Sequence, residues 1–249
     1  MRFAYVPFLR ELRELLQLPR GPARFAAYTA RLQRDLPDVP LPLTIFNPMA
    51  RDHVAAQLDE LLGLDADTLA DEVLRAAAPE LDFGTGPRIR VALVLADDAR
   101  GGWTDRVLTD ARYRWQDDGP MKSGWAPAIL WSSEGISPAL VREAVRAAMS
   151  RAAAQATRGL PRTLAEVLAQ EGRAAVFAGA RQPELAADDL AFTRAVLTPL
   201  LTSSHAPTIA AALYGDAAAR SVGYAPLGLS PWAGLALARA QTAGQAGVG

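Results

Sequence analysis

Few residues in this chain have side chains suited to chemistry. Cysteine is absent, and histidine occurs only as His53 and His205. That removes thiolate nucleophiles, disulfides and sulfur-ligated metals. No histidine cluster has metal-ligand spacing, so no metal and no cofactor is expected. There is no G-x-x-x-x-G-K-[ST] phosphate loop, and Phe83-Gly84-Thr85-Gly86-Pro87 precedes a strand instead of following one, which makes it a turn. No serine stands in G-x-S-x-G. Ser137 and Ser230 each precede proline, which suits helix caps. The acid pairs Asp97-Asp98, Asp117-Asp118 and Asp188-Asp189 fall at turns or helix starts and read as solvated ends that complement helix dipoles. His53 falls on a helix with Asn47 and Asp52 nearby, and His205 follows Ser203-Ser204 before a helix. Both read as surface or capping residues. A Ser-His-Asp arrangement around His205 stays open, because triads are recognised in space and not in sequence.

Glu171 breaks its local pattern. Leu164, Val167, Leu168, Ala174, Ala175 and Ala178 recur at the three- and four-residue step, and Glu171 falls on the same stripe. Two readings stay open: Glu171 lies at the stripe's edge and reaches water, or helical geometry aims its carboxylate inward, into a cleft between this helix and the previous one. A buried carboxylate must be paired, bind a cation or stay protonated.

The elements that position these groups form three blocks. The first is helical. Leu9, Leu12, Leu15 and Leu16 predict a helix over 7–18, and a second covers 22–35. Asn47-Pro48 predicts an N-cap and first turn for a helix to about Leu62, and Asp65 or Asp67 caps another. The middle block turns to strands. Ile89 to Leu95 predicts a strand entering a covered sheet. The period-two run Val107, Thr109, Ala111, Tyr113, Trp115 predicts a second, and Ala126–Ser132 a third. The last block returns to helices. Ser137-Pro138 opens one of about twenty residues, and Thr163-Leu-Ala-Glu166 is a capping box for another. Further helices fit 187–203, 207–221 and 231–241, and 241–249 reads as a frayed tail. The expected fold class is α+β, predominantly helical. A small mixed sheet of about three strands, near 88–96, 106–115 and 126–132, packs on a helical body.

Composition limits the partners. The chain has 249 residues, half of them apolar and 21 % charged, enough for a sizeable core. The net charge of −1 gives no global field for nucleic acid or anionic lipid. Lys122 is the only lysine among 26 basic residues, a bias that weakens the meaning of any single arginine. Arg10, Glu11, Arg13 and Glu14 interrupt the apolar run that a signal peptide needs, and Leu227–Ala238 is too short to span a bilayer. A single cytoplasmic domain over 1–249, with neither a membrane nor a nucleic-acid partner, is expected. Its N-terminal helical part covers 1–80.

The sequence of strand, glycine-containing turn, strands, long helix and a second helix bearing Glu-Gly resembles the zincin-like bacterial metallopeptidases of the gluzincin type. The resemblance covers roughly 85–240. In it Ile89–Leu95 stands for the core strand, Gly101-Gly102-Trp103-Thr104 for the turn beyond it and Ala126–Ser132 for the edge strand. Ser137–Gln155 stands for the active-site helix, and Glu171-Gly172 marks the third-ligand helix. The family's H-E-x-x-H is missing, since helix 137–155 has no histidine. Family spacing places the lost motif at Ala147-Ala148-Met149-Ser150-Arg151. The resemblance therefore implies a degenerate cleft of Glu171, Arg151, Ala147 and Ala148, with no catalytic residue, no metal ligand and an Arg151–Glu171 pair where a metal once stood. It implies a binding or structural role, with a peptide or protein segment lying along the 126–132 edge strand. Two alternatives stand beside it: a hydrolase with a non-metal site, and a helical interaction module unrelated to zincins.

Overall fold

The computed structural model describes residues 2–33, 42–81, 88–99, 104–116 and 124–246. The glycine turn at 83–87, the Gly101-Gly102-Trp103 part of the turn beyond the core strand and the Asp117-Asp118 pair lie outside them. The fold is α+β and predominantly helical, with one three-stranded sheet. Residue contacts gather the chain into two compact units, Met1–Arg106 with Gly119–Ala153, and Val107–Asp118 with Ala154–Gly249.

The first unit is built on the sheet. Its strands are β1 (Arg2–Tyr5), β2 (Arg88–Ala96) and β3 (Trp125–Trp131). Their order is β1-β2-β3 and both pairings are parallel, with Tyr5 opposite Val91 and Ala96 opposite Trp131. The expected mixed sheet is thus parallel. β2 is central, and from Val91 to Ala96 every residue is buried, because a parallel strand covered on both faces has no polar side to alternate. Helices α1 (Leu9–Gln17), α2 (Pro22–Gln33), α3 (Asp52–Gly63) and α4 (Ala66–Ala77) belong to the same unit, with α4 packed on β1, α3 against α1 and α4, and α2 against α1. The leucine stripe of α1 is fully inward, with Leu9, Leu12 and Leu15 at 0 % exposure, each stabilising by about 1.5–3 kcal/mol. Tyr5 on β1 donates its hydroxyl proton to Asp67 on α4. The helix expected from Pro48 starts instead at Asp52, and Asn47 serves a turn in which its Oδ1 accepts the Met49 N–H at 2.9 Å.

Segment 106–115, expected as a strand, is helical: α5 (Arg106–Ala111) continues as a π turn through Arg112–Gln116. Its buried residues are Val107, Asp110, Ala111 and Trp115, a three- and four-residue step. The period-two reading arose because Asp110 counted as polar, whereas it faces the interior. Ser137 accepts the Leu140 N–H at 3.2 Å and opens α6 (Pro138–Arg158), as expected.

The second unit packs α7 (Leu164–Ala178), α8 (Ala187–Leu197), α9 (Ala206–Tyr214), α10 (Asp216–Ser221) and α11 (Ala233–Ala246). The capping box is present: Thr163 Oγ1 accepts the Glu166 N–H at 3.4 Å, and Glu166 Oε2 accepts the Thr163 N–H at 3.1 Å. The single helix expected over 207–221 is broken at Gly215, whose φ of +81° suits glycine, and a Cβ there would meet Ser230 O at 2.2 Å. Residues 241–246, expected to fray, continue α11. That helix lies against α7 so closely that a Cβ on Gly172 would sit 2.5 Å from Ala238 O. Among the described residues no helix is long and apolar enough to cross a membrane.

Candidate functional site

Polar residues that directly follow the last apolar residue of a parallel strand stand at the sheet's carboxyl edge. In open α/β sheets ligands bind there. In the first unit this edge holds Asp97 and Asp98 after β2, and Ser132 and Ser133 after β3. Asp97 is only 2 % exposed. A carboxylate so buried needs donors, and it has three. Asn47 Nδ2 donates to Oδ2 at 3.0 Å, His53 Nε2 meets Oδ1 at 2.9 Å, and Ser132 Oγ lies 3.2 Å from Oδ1.

Each donor is held by its own local structure. Asn47 belongs to the turn before α3, and that turn is anchored by Arg24. The buried Arg24 guanidinium donates to Leu16 O at 3.0 Å and Pro48 O at 3.4 Å, and also to Leu18 O. Burial pulls the pKa of Arg24 below its ordinary value. His53 sits in the first turn of α3, 44 residues before Asp97. Gln57, one turn further along α3, donates to Ser132 O at 3.0 Å and ties the end of β3 to the same helix.

The chemistry of this cluster follows from which atoms are free. A carboxylate only accepts, so the His53 nitrogen beside Asp97 carries a proton. Neutral His53 is therefore the Nε2–H tautomer and keeps its lone pair on Nδ1. Among the described residues Nδ1 has no hydrogen-bond partner, and the side chain stays 16 % exposed. Ser132 is fully engaged. Its Oγ accepts the N–H groups of Asp98 and Ala99, both at 3.1 Å, and shares its one proton between Asp97 and Asp98, each at 3.2 Å. Such a hydroxyl is a bracket and not a nucleophile. Asp98 completes the turn by accepting from Ser133 N at 2.9 Å and Ser133 Oγ at 2.7 Å.

Glu171 lies in the second unit and is 3 % exposed, so its place on the stripe is an inward one. The partner found for it is Arg114, whose Nη1 lies 2.9 Å from Glu171 Oε2 and whose Nη2 lies 3.0 Å from Asp110 Oδ1. Tyr214 donates its hydroxyl proton to Asp110 Oδ2 at 2.9 Å, and Gln170 Nε2 donates to Arg114 O at 2.9 Å. Burial works against the Arg114 charge, but the fields of the Asp110 and Glu171 carboxylates outweigh it and hold the guanidinium protonated above its ordinary pKa. Burial, and then the neighbouring Asp110, pushes the Tyr214 phenol well up. These groups pair with one another and support the fold, with Asp110 Oδ1 facing Arg114 as an ion pair and, among the described residues, without a hydrogen bond. Arg114 was hidden from sequence reasoning because its segment read as a strand. Ala147 and Ala148 are buried on α6, and Arg151 stands one turn beyond Ala147 on the same helix. Burial, then Glu134, raises the pKa of Glu143, and the charge of Arg151 opposes that rise. Gly172, the other half of the Glu-Gly pair, is explained by the close approach of α7 and α11.

His205 is exposed, with Nδ1 at 2.9 Å from Thr208 Oγ1 in its own helix turn. Of the histidines, His53 is the one brought to a buried acid. Among the described residues no group of three or more His, Cys, Asp or Glu side chains could hold a metal ion. No family model, no curated protein and no solved structure matches this chain.

Proposed function

We propose that the carboxyl edge of the sheet in the first unit is a hydrolytic site in which His53 is the general base and Asp97 its orienting acid. The observation that carries this reading is the 2.9 Å contact between His53 Nε2 and the buried Asp97 carboxylate, which leaves Nδ1 without a hydrogen-bond partner among the described residues. The nucleophile is water. His53 Nδ1 removes a proton from the water as its oxygen attacks an electrophilic centre, and the same proton then passes to the leaving group. Asp97 keeps the imidazole in one tautomer and stabilises the imidazolium that forms, as the acid of a Ser-His-Asp triad does. Ser132 holds Asp97 in place and takes no part in bond making.

The test uses the full chain against p-nitrophenyl acetate, p-nitrophenyl butyrate, p-nitrophenyl phosphate and bis-p-nitrophenyl phosphate. One class should be hydrolysed above background. His53→Gln should then lower kcat by about 10²–10⁴, the usual share of a positioned general base. His205→Gln should leave kcat unchanged. Parental turnover in His53→Gln would overturn the assignment.

A second reading keeps the metallopeptidase resemblance and assigns a non-catalytic, peptide-holding role. Its support is that β3 is an edge strand, to which an extended segment could add by main-chain hydrogen bonds. Pro127 offers no N–H, so pairing would be interrupted there. Random peptides selected on the chain should, on this reading, slow amide exchange within 125–131. Protection confined to other segments would count against it.

A further inference from the structure

The second unit has a cleft of about 810 Å³, large enough for a small organic molecule. Three arginines line it: Arg158 at the end of α6, Arg162 before α7 and Arg173 on α7. Among the described residues the one carboxylate on its wall, Glu166, is already committed. It accepts the N–H groups of Arg162 at 2.7 Å and Thr163 at 3.1 Å, and those bonds hold it below the usual carboxylate range. Neither Arg158 nor Arg173 has an ion pair among the described residues. Some surface arginines are matched, as in Arg13–Asp59, Arg75–Asp71, Arg146–Glu80 and Arg220–Asp216. What sets Arg158 and Arg173 apart is that both line one cleft. The crowding has a cost, since burial and then the charge of Arg158 pull the pKa of Arg173 down. Two like charges from two helices thus line one cleft, and among the described residues no acid pairs with either of them.

We propose that this cleft binds a small phosphate monoester, with its phosphate held between Arg158 and Arg173. Guanidinium forks match phosphate oxygens in pairs, and a phosphate monoester brings three acceptor oxygens and nearly two charges to the two forks where a carboxylate brings two oxygens and one charge. Arg162 and Ser204 stand at the same cleft as further donors, and Trp115 and Ile209 provide an apolar wall for the organic part. The inference uses none of the residues of the His53 proposal, so either can fail alone.

Calorimetry and thermal melting of the full chain test it with three probes: phenyl phosphate, inorganic phosphate and benzoate. Phenyl phosphate should bind at least tenfold more tightly than benzoate, which has the same ring, and should raise the melting temperature. Inorganic phosphate should bind more weakly than phenyl phosphate, having no apolar part. Arg158→Gln combined with Arg173→Gln should weaken phenyl phosphate at least tenfold, yet melt no lower than the parent without ligand, because a repulsion has been removed. Arg181→Gln, a change of an exposed arginine outside the cleft, should bind as the parent does. Equal affinity for benzoate, unchanged binding in the double variant, or no binding of phenyl phosphate at millimolar concentration would each overturn the proposal.

Discussion

Replacing Arg114 by methionine should unfold the second unit more readily than any single carboxylate change nearby. Arg114 pairs with Glu171 at 2.9 Å and Asp110 at 3.0 Å, and the two acid side chains are 2 % and 1 % exposed. Methionine fills similar volume but takes the guanidinium away from both acids. Breaking a buried pair by removing one partner costs about 3–5 kcal/mol. Asp110 keeps the Tyr214 hydroxyl at 2.9 Å and Glu171 keeps a weak contact from Gln170 at 3.4 Å, which argues against a larger figure. At roughly 2–4 °C per kcal/mol for a chain of this size, the melting temperature should fall by about 6–20 °C. Glu171→Gln removes one charge-assisted hydrogen bond but keeps the shape, and should cost about 1–3 kcal/mol. Arg114→Met with Glu171→Met should recover part of the loss, because only Asp110 is then left without the guanidinium. Urea unfolding followed by near-ultraviolet circular dichroism reads all three variants. An Arg114→Met protein within about 1 kcal/mol of the parent would refute the reasoning, since that is the range of an exposed pair.

Two further perturbations follow from the packing and from the buried phenols. Gly172→Ala places a Cβ 2.3 Å from Thr242 Oγ1 and 2.5 Å from Ala238 O, so α7 and α11 must separate. A loss of about 1–3 kcal/mol is expected; Gly63→Ala, with open space around it, should match or slightly exceed the parent in the same urea titration. Burial, and then a neighbouring acid, raises Tyr5 and Tyr214 above their ordinary pKa, so the unfolded chain ionises first. The stability these phenols contribute is therefore complete below about pH 10 and lost as pH rises beyond it. Urea midpoints should fall above pH 10, and Tyr5→Phe with Tyr214→Phe should flatten that fall. An identical alkaline profile in the double variant would contradict it.

Local signals in the sequence were sound where one element could be read alone. The leucines of α1, the apolar run of β2, the Ser137 cap and the Thr163–Glu166 box each follow from spacing within about twenty residues. The helix at 106–116 was misread because its interior face includes an acid that is paired in space. β1 escaped notice because four residues give too little period. Its parallel pairing with β2 cannot be read from either strand. The same limit applies to the site. Asn47 and His53 were visible near each other, and Asp97-Asp98 and Ser132-Ser133 were visible as polar pairs after apolar runs. Only a parallel sheet with both strand ends at one edge brings them together. Polar residues directly after two strands were the signal available, and it gains meaning once the strands are known to run in the same direction.

The central claim is that Asp97 fixes the proton of His53 on Nε2 and leaves Nδ1 as the free base. With two histidines in the chain, long-range proton–nitrogen correlation spectra of the imidazoles resolve each ring. At a pH where the ring is neutral, His53 should show a single Nε2–H tautomer, and Asp97→Asn should abolish that preference while His205 stays unchanged. A His53 ring carrying its proton on Nδ1, or averaging between both nitrogens as a free imidazole does, would contradict the account.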